Sequence, residues 1–122
     1  MDRYNEAIAK YEKNLNDEIV KNEVENLLKA HLNENCNEEV YKTIFSCMDL
    51  TTLNVTDNYE SVSKLVEMVN KMDNDYSNIP NVAAICVYPN FVTAVRGTLE
   101  VSDVNVASVS GGFPSSQTFS EI

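Results

Sequence analysis

The stretch VAAICVY (residues 82–88) decides how the rest of the sequence is interpreted, because it is apolar at both odd and even positions. A strand that is apolar on both faces is typical of a parallel sheet covered on both sides. Two other strand patterns occur, SCMDLTTL (46–53) before it and VNVASV (104–109) after it. Segments with helical spacing of apolar residues, at 57–72 and 89–99, separate the three. The sequence therefore predicts an α/β fold with a parallel sheet and right-handed crossovers.

Two architectures fit this alternation of strands and helices: an open doubly wound sheet and a (β/α)8 barrel. No G-x-G-x-x-G motif follows the first strand pattern, which weakens the dinucleotide-binding version of the open sheet. In both architectures the functional residues lie at the carboxyl ends of the strands. Those ends carry TTLN (51–54), YPN (88–90) and SGGFPSS (110–116).

Helix signals occur at both ends of the chain. Residues 3–33 repeat apolar side chains at helical spacing and predict two amphipathic helices, with Asp17 as the N-cap of the second. Their uneven spacing favours a packing layer over a coiled coil. Asp57 and Glu60 have the spacing of a capping box for the helix that precedes the central strand. The residues expected to cap a last helix are Ser115 or Ser116.

Composition limits the possible functions. A chain of 122 residues with 43% hydrophobic residues forms at most one core-bearing domain. A net charge of −10 argues against nucleic acid and against an anionic membrane as partners. The start of the sequence is polar, unlike a signal peptide, and no apolar run is long enough to span a membrane. Three cysteines and a single histidine without metal-ligand spacing predict neither a zinc site nor a disulfide framework and favour the cytoplasm.

Three segments occur together in a recognisable order and spacing: DLTTLN (49–54), AAICVYPNFV (83–92) and VASVSGGFPSSQT (106–118). In this respect the chain resembles the N-terminal third of the deoxyribose-phosphate aldolase family. The resemblance implies a partial TIM (β/α)8 barrel, in which residues 37–122 form the first three parallel strands with their helices. Residues 1–36 are then an N-terminal extension of α-helices.

The resemblance also implies a chemistry. The family consists of class I aldolases, which need no metal and no cofactor and use a lysine Schiff base as electron sink. They reversibly split 2-deoxy-D-ribose 5-phosphate into acetaldehyde and D-glyceraldehyde 3-phosphate, a step of deoxyribonucleotide and carbohydrate breakdown. The expected partners are therefore the small sugar phosphate and the aldehydes.

The nucleophilic lysine of the family lies on a later strand than those recognised here. A Schiff-base lysine needs a desolvated pocket to be an amine near neutral pH. The seven lysines of this chain all fall in helix-patterned or polar segments. We therefore expect the chain alone to be inactive as an aldolase; the alternative is a non-catalytic assembly or interaction element.

Asp49 is the candidate catalytic residue. With the period of two of a strand, Asp49 shares a face with Thr51 and Leu53, and this face would point into the barrel. The matching aspartate of the family belongs to the proton network around the lysines, so the resemblance implies that Asp49 is a proton relay; capping of a nearby turn is the alternative. Without a facing lysine, we expect Asp49 to be protonated or exposed to water. The substrate-binding residues that the resemblance implies are Thr51, Leu53, Cys86, Tyr88 and Phe113.

Two expectations remain at the last strand and its loop. One apparent extra residue at 110–112 leaves the facing of Phe113 open, and the two glycines there could instead hold a phosphate through backbone N–H groups. A closed barrel has no free edges, whereas three strands leave two. The chain is therefore expected to self-associate or to depend on a missing C-terminal segment.

Overall fold

The computed structural model describes residues 2–11, 15–114 and 117. It divides into two compact units, Met1–Asn37 and Glu38–Ile122. The expected helix cap at Ser115 or Ser116 lies outside the described residues.

The first unit contains helices α1 (Arg3–Ile8) and α2 (Asp17–Asn35). The predicted division into two helices is confirmed, but the predicted N-cap is wrong by one residue. The side chain of Asn16, not Asp17, accepts a hydrogen bond from the backbone N–H of Ile19, at 3.0 Å. Asp17 lies in the first turn, where its negative charge interacts favourably with the helix dipole.

Helix α2 has an apolar stripe that is not buried. Its large apolar side chains are between 42% and 60% exposed, and every described residue of the first unit is exposed. None of the helices in the described part of the chain is both long enough and apolar enough to cross a membrane. The residues of this α2 stripe are Ile19, Val20, Val24, Leu27, Leu28 and Leu32.

The second unit is an open, three-stranded sheet with helices. The strands lie in the order β1-β2-β3, and both pairings are parallel. The three predicted strands and their parallel arrangement are confirmed, whereas closure into a barrel stays a prediction. The elements are α3 (Glu38–Ser46), β1 (Asp49–Thr51), α4 (Tyr59–Asp75), β2 (Ala84–Val87), a 3-10 turn (Pro89–Phe91), α5 (Val92–Thr98) and β3 (Asn105–Ser108).

The register of the strands assigns their side chains to two faces. Ile85 of β2 is fully buried and lies level with Leu50 of β1 and Val106 of β3. Side chains at level positions of parallel strands point to the same side, so these three point to the side of the helices. The opposite side, here called the open face, carries Asp49, Ala84 and Asn105 in one row and Thr51, Cys86 and Ala107 in the next.

Helix α4 begins with a capping box, but not the predicted one. The side-chain oxygen of Asn58 accepts from the Ser61 N–H at 3.0 Å, and Ser61 Oγ accepts from the Asn58 N–H at 3.0 Å. The predicted capping box of Asp57 and Glu60 is therefore wrong, because the Asp57 carboxylate accepts hydrogen bonds within the preceding loop. The buried apolar positions of α4 are Val62, Val66 and Val69, and they pack in one core cluster with the side chains of β2 and α5.

One buried carboxamide joins the two helices that cover the sheet. Asn70 of α4 is 8% exposed, and its Nδ2 donates to the Thr98 carbonyl at 2.8 Å. Its Oδ1 accepts from the Glu100 N–H at 3.0 Å. The end of α5 is thus tied to the middle of α4 by both polar atoms of one side chain.

Candidate functional site at the carboxyl ends of the strands

The three strands run in the same direction, so their carboxyl ends meet at one edge of the sheet. Three segments follow there: the β1–α4 loop (residues 52–58), the turn at 88–91 after β2, and the loop at 109–114 after β3. In open and closed parallel sheets this edge holds the ligand sites. The three segments therefore form the candidate site.

The β1–α4 loop is organised by a carboxylate. Asp57 Oδ2 accepts from Thr52 Oγ1 at 2.8 Å and from the Asn54 N–H at 2.9 Å. Asn54 Nδ2 in turn donates to Thr52 Oγ1 at 3.2 Å and to Asp57 Oδ1 at 3.4 Å. Hydrogen bonds to a charged acceptor are the stronger kind, so Asp57 fixes the shape of the loop from within.

Tyr88 holds the same loop from the neighbouring strand. Its ring is fully buried in the core cluster, and its hydroxyl donates to the Leu53 carbonyl at 2.9 Å. The chain leaves the β2 ladder after Val87 and enters the 3-10 turn. Tyr88 and Leu53, both expected to bind substrate, are thus brought together by a bond between them; contact of either with substrate stays a prediction.

Gln117 approaches the β1–α4 loop from the other side, after β3. Its Nε2 donates to the Val55 carbonyl at 2.8 Å and to the Asn54 carbonyl at 3.1 Å, and it lies 3.4 Å from the Asp57 carbonyl. No sequence pattern singles out Gln117. It stands alone in a loop and belongs to no periodic pattern, and the carbonyl groups that accept its hydrogen bonds lie about sixty positions earlier in the chain.

The open face collects the other candidates. Thr51 lies level with Cys86, and Asp49 lies two residues before Thr51 on the same face. Asp49 and Thr51 are exposed, and Cys86 is a half-buried free thiol. Asp49 is therefore exposed to water, one of the two states expected of it. Thr51 Oγ1 donates to the Asp49 carbonyl at 3.1 Å, which orients the threonine along the strand.

Phe113 lies in the loop after β3 and is 63% exposed. Its N–H donates to the Ser110 carbonyl at 3.4 Å, across Gly111 and Gly112. Both glycines have φ of 68°, a left-handed conformation that other residues rarely adopt. The glycines thus form a tight turn. Binding of substrate by Phe113, or of phosphate by this turn, stays a prediction.

None of the described lysines lies in the three segments of this edge. The lysines that the structure describes lie on helices or, for Lys10, in the turn after α1. Lys42 donates a hydrogen bond to Glu38 within α3, which lowers the pKa of Glu38 and raises the pKa of Lys42. In the described part of the chain, no three His, Cys, Asp or Glu side chains cluster as metal ligands would.

An apolar recess lies on the other side of the sheet. It has a volume of about 190 Å³ and is bounded by α3, β1 and α4, with Phe45, Leu50 and Met68 in its wall. Because Leu50 points to the helix side, this recess is separate from Asp49 and Thr51 on the open face. The side chains of Asp49, Thr51 and Cys86 thus lie on the open face and not in this recess.

Comparison with known proteins links the chain to curated proteins of known name. No family model matches the chain. A Caenorhabditis elegans protein named "Putative deoxyribose-phosphate aldolase" is 34% identical to it over 85 residues. The matched region is 66% of this chain but 27% of the relative, so the chain spans about a quarter of the length of that curated relative. This similarity supports a relation of the chain to that "Putative deoxyribose-phosphate aldolase".

Proposed function

We propose that residues 37–122 supply the first three β/α units of a deoxyribose-phosphate aldolase. The complete enzyme would cleave 2-deoxy-D-ribose 5-phosphate reversibly into acetaldehyde and D-glyceraldehyde 3-phosphate. One observation carries the proposal: the segments that resemble the family, at 49–54, 83–92 and 106–118, contain three adjacent parallel strands and the residues at their carboxyl ends. Parallel sheets place active sites there.

The open face is the proposed wall of the active site. Asp49, exposed on this face, is the proposed proton relay, acting on the protons that move during formation and breakdown of the Schiff base. Thr51 and Cys86 lie level with each other in the next row of the same face and would contact the small aldehyde carbons. The role of Asp49 requires water or a donor group within hydrogen-bond distance of its carboxylate.

The amine nucleophile is proposed to come from another segment. An exposed helical lysine is a solvated cation near neutral pH and a poor nucleophile. Lys64 illustrates this state, since its ammonium donates to Glu60 one helical turn away and its side chain is 68% exposed. We therefore expect the 122 residues alone to form no Schiff base.

Borohydride trapping tests the proposal. The chain is incubated with 2-deoxyribose 5-phosphate and sodium borohydride, alone and with a polypeptide that covers the part of the Caenorhabditis elegans relative outside the matched region. We expect a covalent adduct by mass spectrometry only in the mixture, and on the added polypeptide. An adduct on this chain alone would refute the assignment of the nucleophile, and a mixture without adduct or aldolase activity would refute the proposed function.

A pair of matched variants tests the role of Asp49 in the active mixture. Asp49→Asn keeps the shape of the side chain but removes its charge and should lower kcat at least about a hundredfold, as expected for loss of a general acid–base. Asp75→Asn makes the same change at an exposed position at the end of α4 and should leave kcat within about twofold. Equal kcat values for the two variants would contradict the role of Asp49.

The second candidate function is a non-catalytic assembly element, and the α2 stripe favours it. Six large apolar side chains of one helix are exposed in the described structure. Leu28→Glu, in the middle of the stripe, would then lower the molar mass measured by light scattering, whereas Glu25→Gln on the polar side would not. A monomer in all three proteins would contradict this second candidate.

A further inference from the structure

The carbonyl groups of the β1–α4 loop are held from two different strands. The Leu53 carbonyl accepts from Tyr88, which directly follows β2. The next two carbonyls, of Asn54 and Val55, accept from Gln117, which follows β3. The loop after the first strand is therefore fixed by side chains that belong to the second and third βα units.

The carboxamide of Gln117 is well suited to this arrangement. Its NH2 group has two hydrogens, and the two shortest distances, 2.8 Å to Val55 and 3.1 Å to Asn54, use both. The Asp57 carbonyl at 3.4 Å receives at most a share of one of them. Gln117 is itself half-buried, so water competes less for these bonds than at an exposed position.

The loop that Gln117 holds connects two features of the candidate site. Its first residues follow directly from Thr51 on the open face, and its last residue caps α4. Leu53 packs against the core cluster, but Asn54 and Val55 are exposed, so apolar burial does not fix this part of the loop. The side chains that hold it are the donors Tyr88 and Gln117 and the acceptor Asp57.

We propose that Gln117 is a positioning residue, which holds the β1–α4 loop over the carboxyl end of β1 in the conformation that binds the sugar phosphate. Its part in substrate binding rests on the proposed aldolase function. Its part in ordering the loop does not, and the two can be measured separately.

Hydrogen exchange of the full chain tests the ordering of the loop. Gln117→Met keeps the length of the side chain without a donor, and Gln117→Glu keeps its shape but presents only acceptors at neutral pH. Both should speed exchange of the amides at 52–58 about tenfold, the effect of losing bonds of ordinary strength, and leave the α4 amides at 62–70 unchanged. Unchanged exchange at 52–58 would overturn the proposal, and so would equal acceleration at 62–70, which indicates a general loss of structure.

Steady-state kinetics of the active mixture test the effect on substrate. Loss of the positioning bonds should raise KM about tenfold in both variants and leave kcat within about twofold, since no reacting group is removed. Thr43→Met, an exposed change in α3 and outside the three segments of the candidate site, is the control and should leave both constants unchanged. A fall in kcat without a change in KM would overturn the positioning role. An inactive mixture with wild-type Gln117 refutes the proposed function instead, and the exchange experiment still decides whether Gln117 orders the loop.

Discussion

Replacing Asn70 with alanine removes two hydrogen bonds that join α4 to the chain at the end of α5. The carboxamide donates to the Thr98 carbonyl at 2.8 Å and accepts from the Glu100 N–H at 3.0 Å. Asn70 is also the single buried polar residue among those that the structure describes. The variant thus tests how much this one side chain contributes to holding α4 and the end of α5 together.

The magnitude follows from the geometry. Each hydrogen bond contributes about 0.5–1.5 kcal/mol net, so the two together contribute about 1–3 kcal/mol. The higher helix propensity of alanine offsets up to about 0.7 kcal/mol of this loss. The free energy of unfolding should therefore fall by about 0.3–2.3 kcal/mol. Asn74→Ala, one turn further along α4, removes only a bond to the Asn70 carbonyl at 2.9 Å and should change it by less than about 0.5 kcal/mol.

Urea unfolding followed by near-ultraviolet circular dichroism measures this difference. The near-ultraviolet signal reports the packing around Tyr88 and other aromatic side chains, and exposed α2, with no aromatic residue, contributes little to it. With an m-value of about 2 kcal/mol/M, the Asn70→Ala midpoint should lie roughly 0.2–1.2 M below that of the unchanged chain. The same midpoint for Asn70→Ala and Asn74→Ala would refute the reasoning.

Three further predictions concern the same unit. Tyr88→Phe keeps the buried ring but removes the hydroxyl bond to the β1–α4 loop and should lower the free energy of unfolding by about 1 kcal/mol in urea. Val66→Ala, at a fully buried position, should lower it by about 2–3 kcal/mol, whereas Val55→Ala at 68% exposure should change it by less than about 0.5 kcal/mol. The Glu38 pKa is lowered from 4.5 by its hydrogen bond with Lys42, so the stabilisation is present above pH 4.5 and is lost as the pH falls through the lower, folded value. Lys42→Met should raise the carboxyl titration midpoint of Glu38 measured by NMR, and an unchanged midpoint would contradict the assignment.

The elements of the fold could be predicted from sequence because their patterns are strong. VAAICVY at 82–88 is a buried strand by composition alone, and β2 lies within it at Ala84–Val87. The caps of α2 and α4 are harder to place, because two acceptor side chains stand side by side at the start of each of these helices. Asp57 and Asn58 both have suitable side chains, and the choice between them depends on the Thr52 hydroxyl, which engages Asp57. Closure of the sheet into a barrel cannot be predicted from local sequence patterns.

The positions of the candidate site residues could be predicted in the strands, where side chains alternate, but not in the loops. Asp49, Thr51 and Cys86 could be placed on one face because side chains alternate along a strand. The periodicity ends with the ladder, and Tyr88, one residue past β2, lies in the core instead of following Cys86 on the open face. Gln117 gave no signal, because its partners are carbonyl groups, which every residue has.

The position of Asp49 restricts what can cover the open face. In the described structure its carboxylate is exposed, while Leu50, the next residue, points to the helix side. A surface that covered Asp49 without a donor would leave a buried, unpaired charge, which costs several kcal/mol. An apolar cover is therefore unstable, and a stable one must carry an ammonium, guanidinium or hydrogen-bond donor within reach of this carboxylate. Under the proposed function, a proton relay and a stable interface would thus require the same chemistry, and Asp49 would link assembly of the sheet to formation of the site.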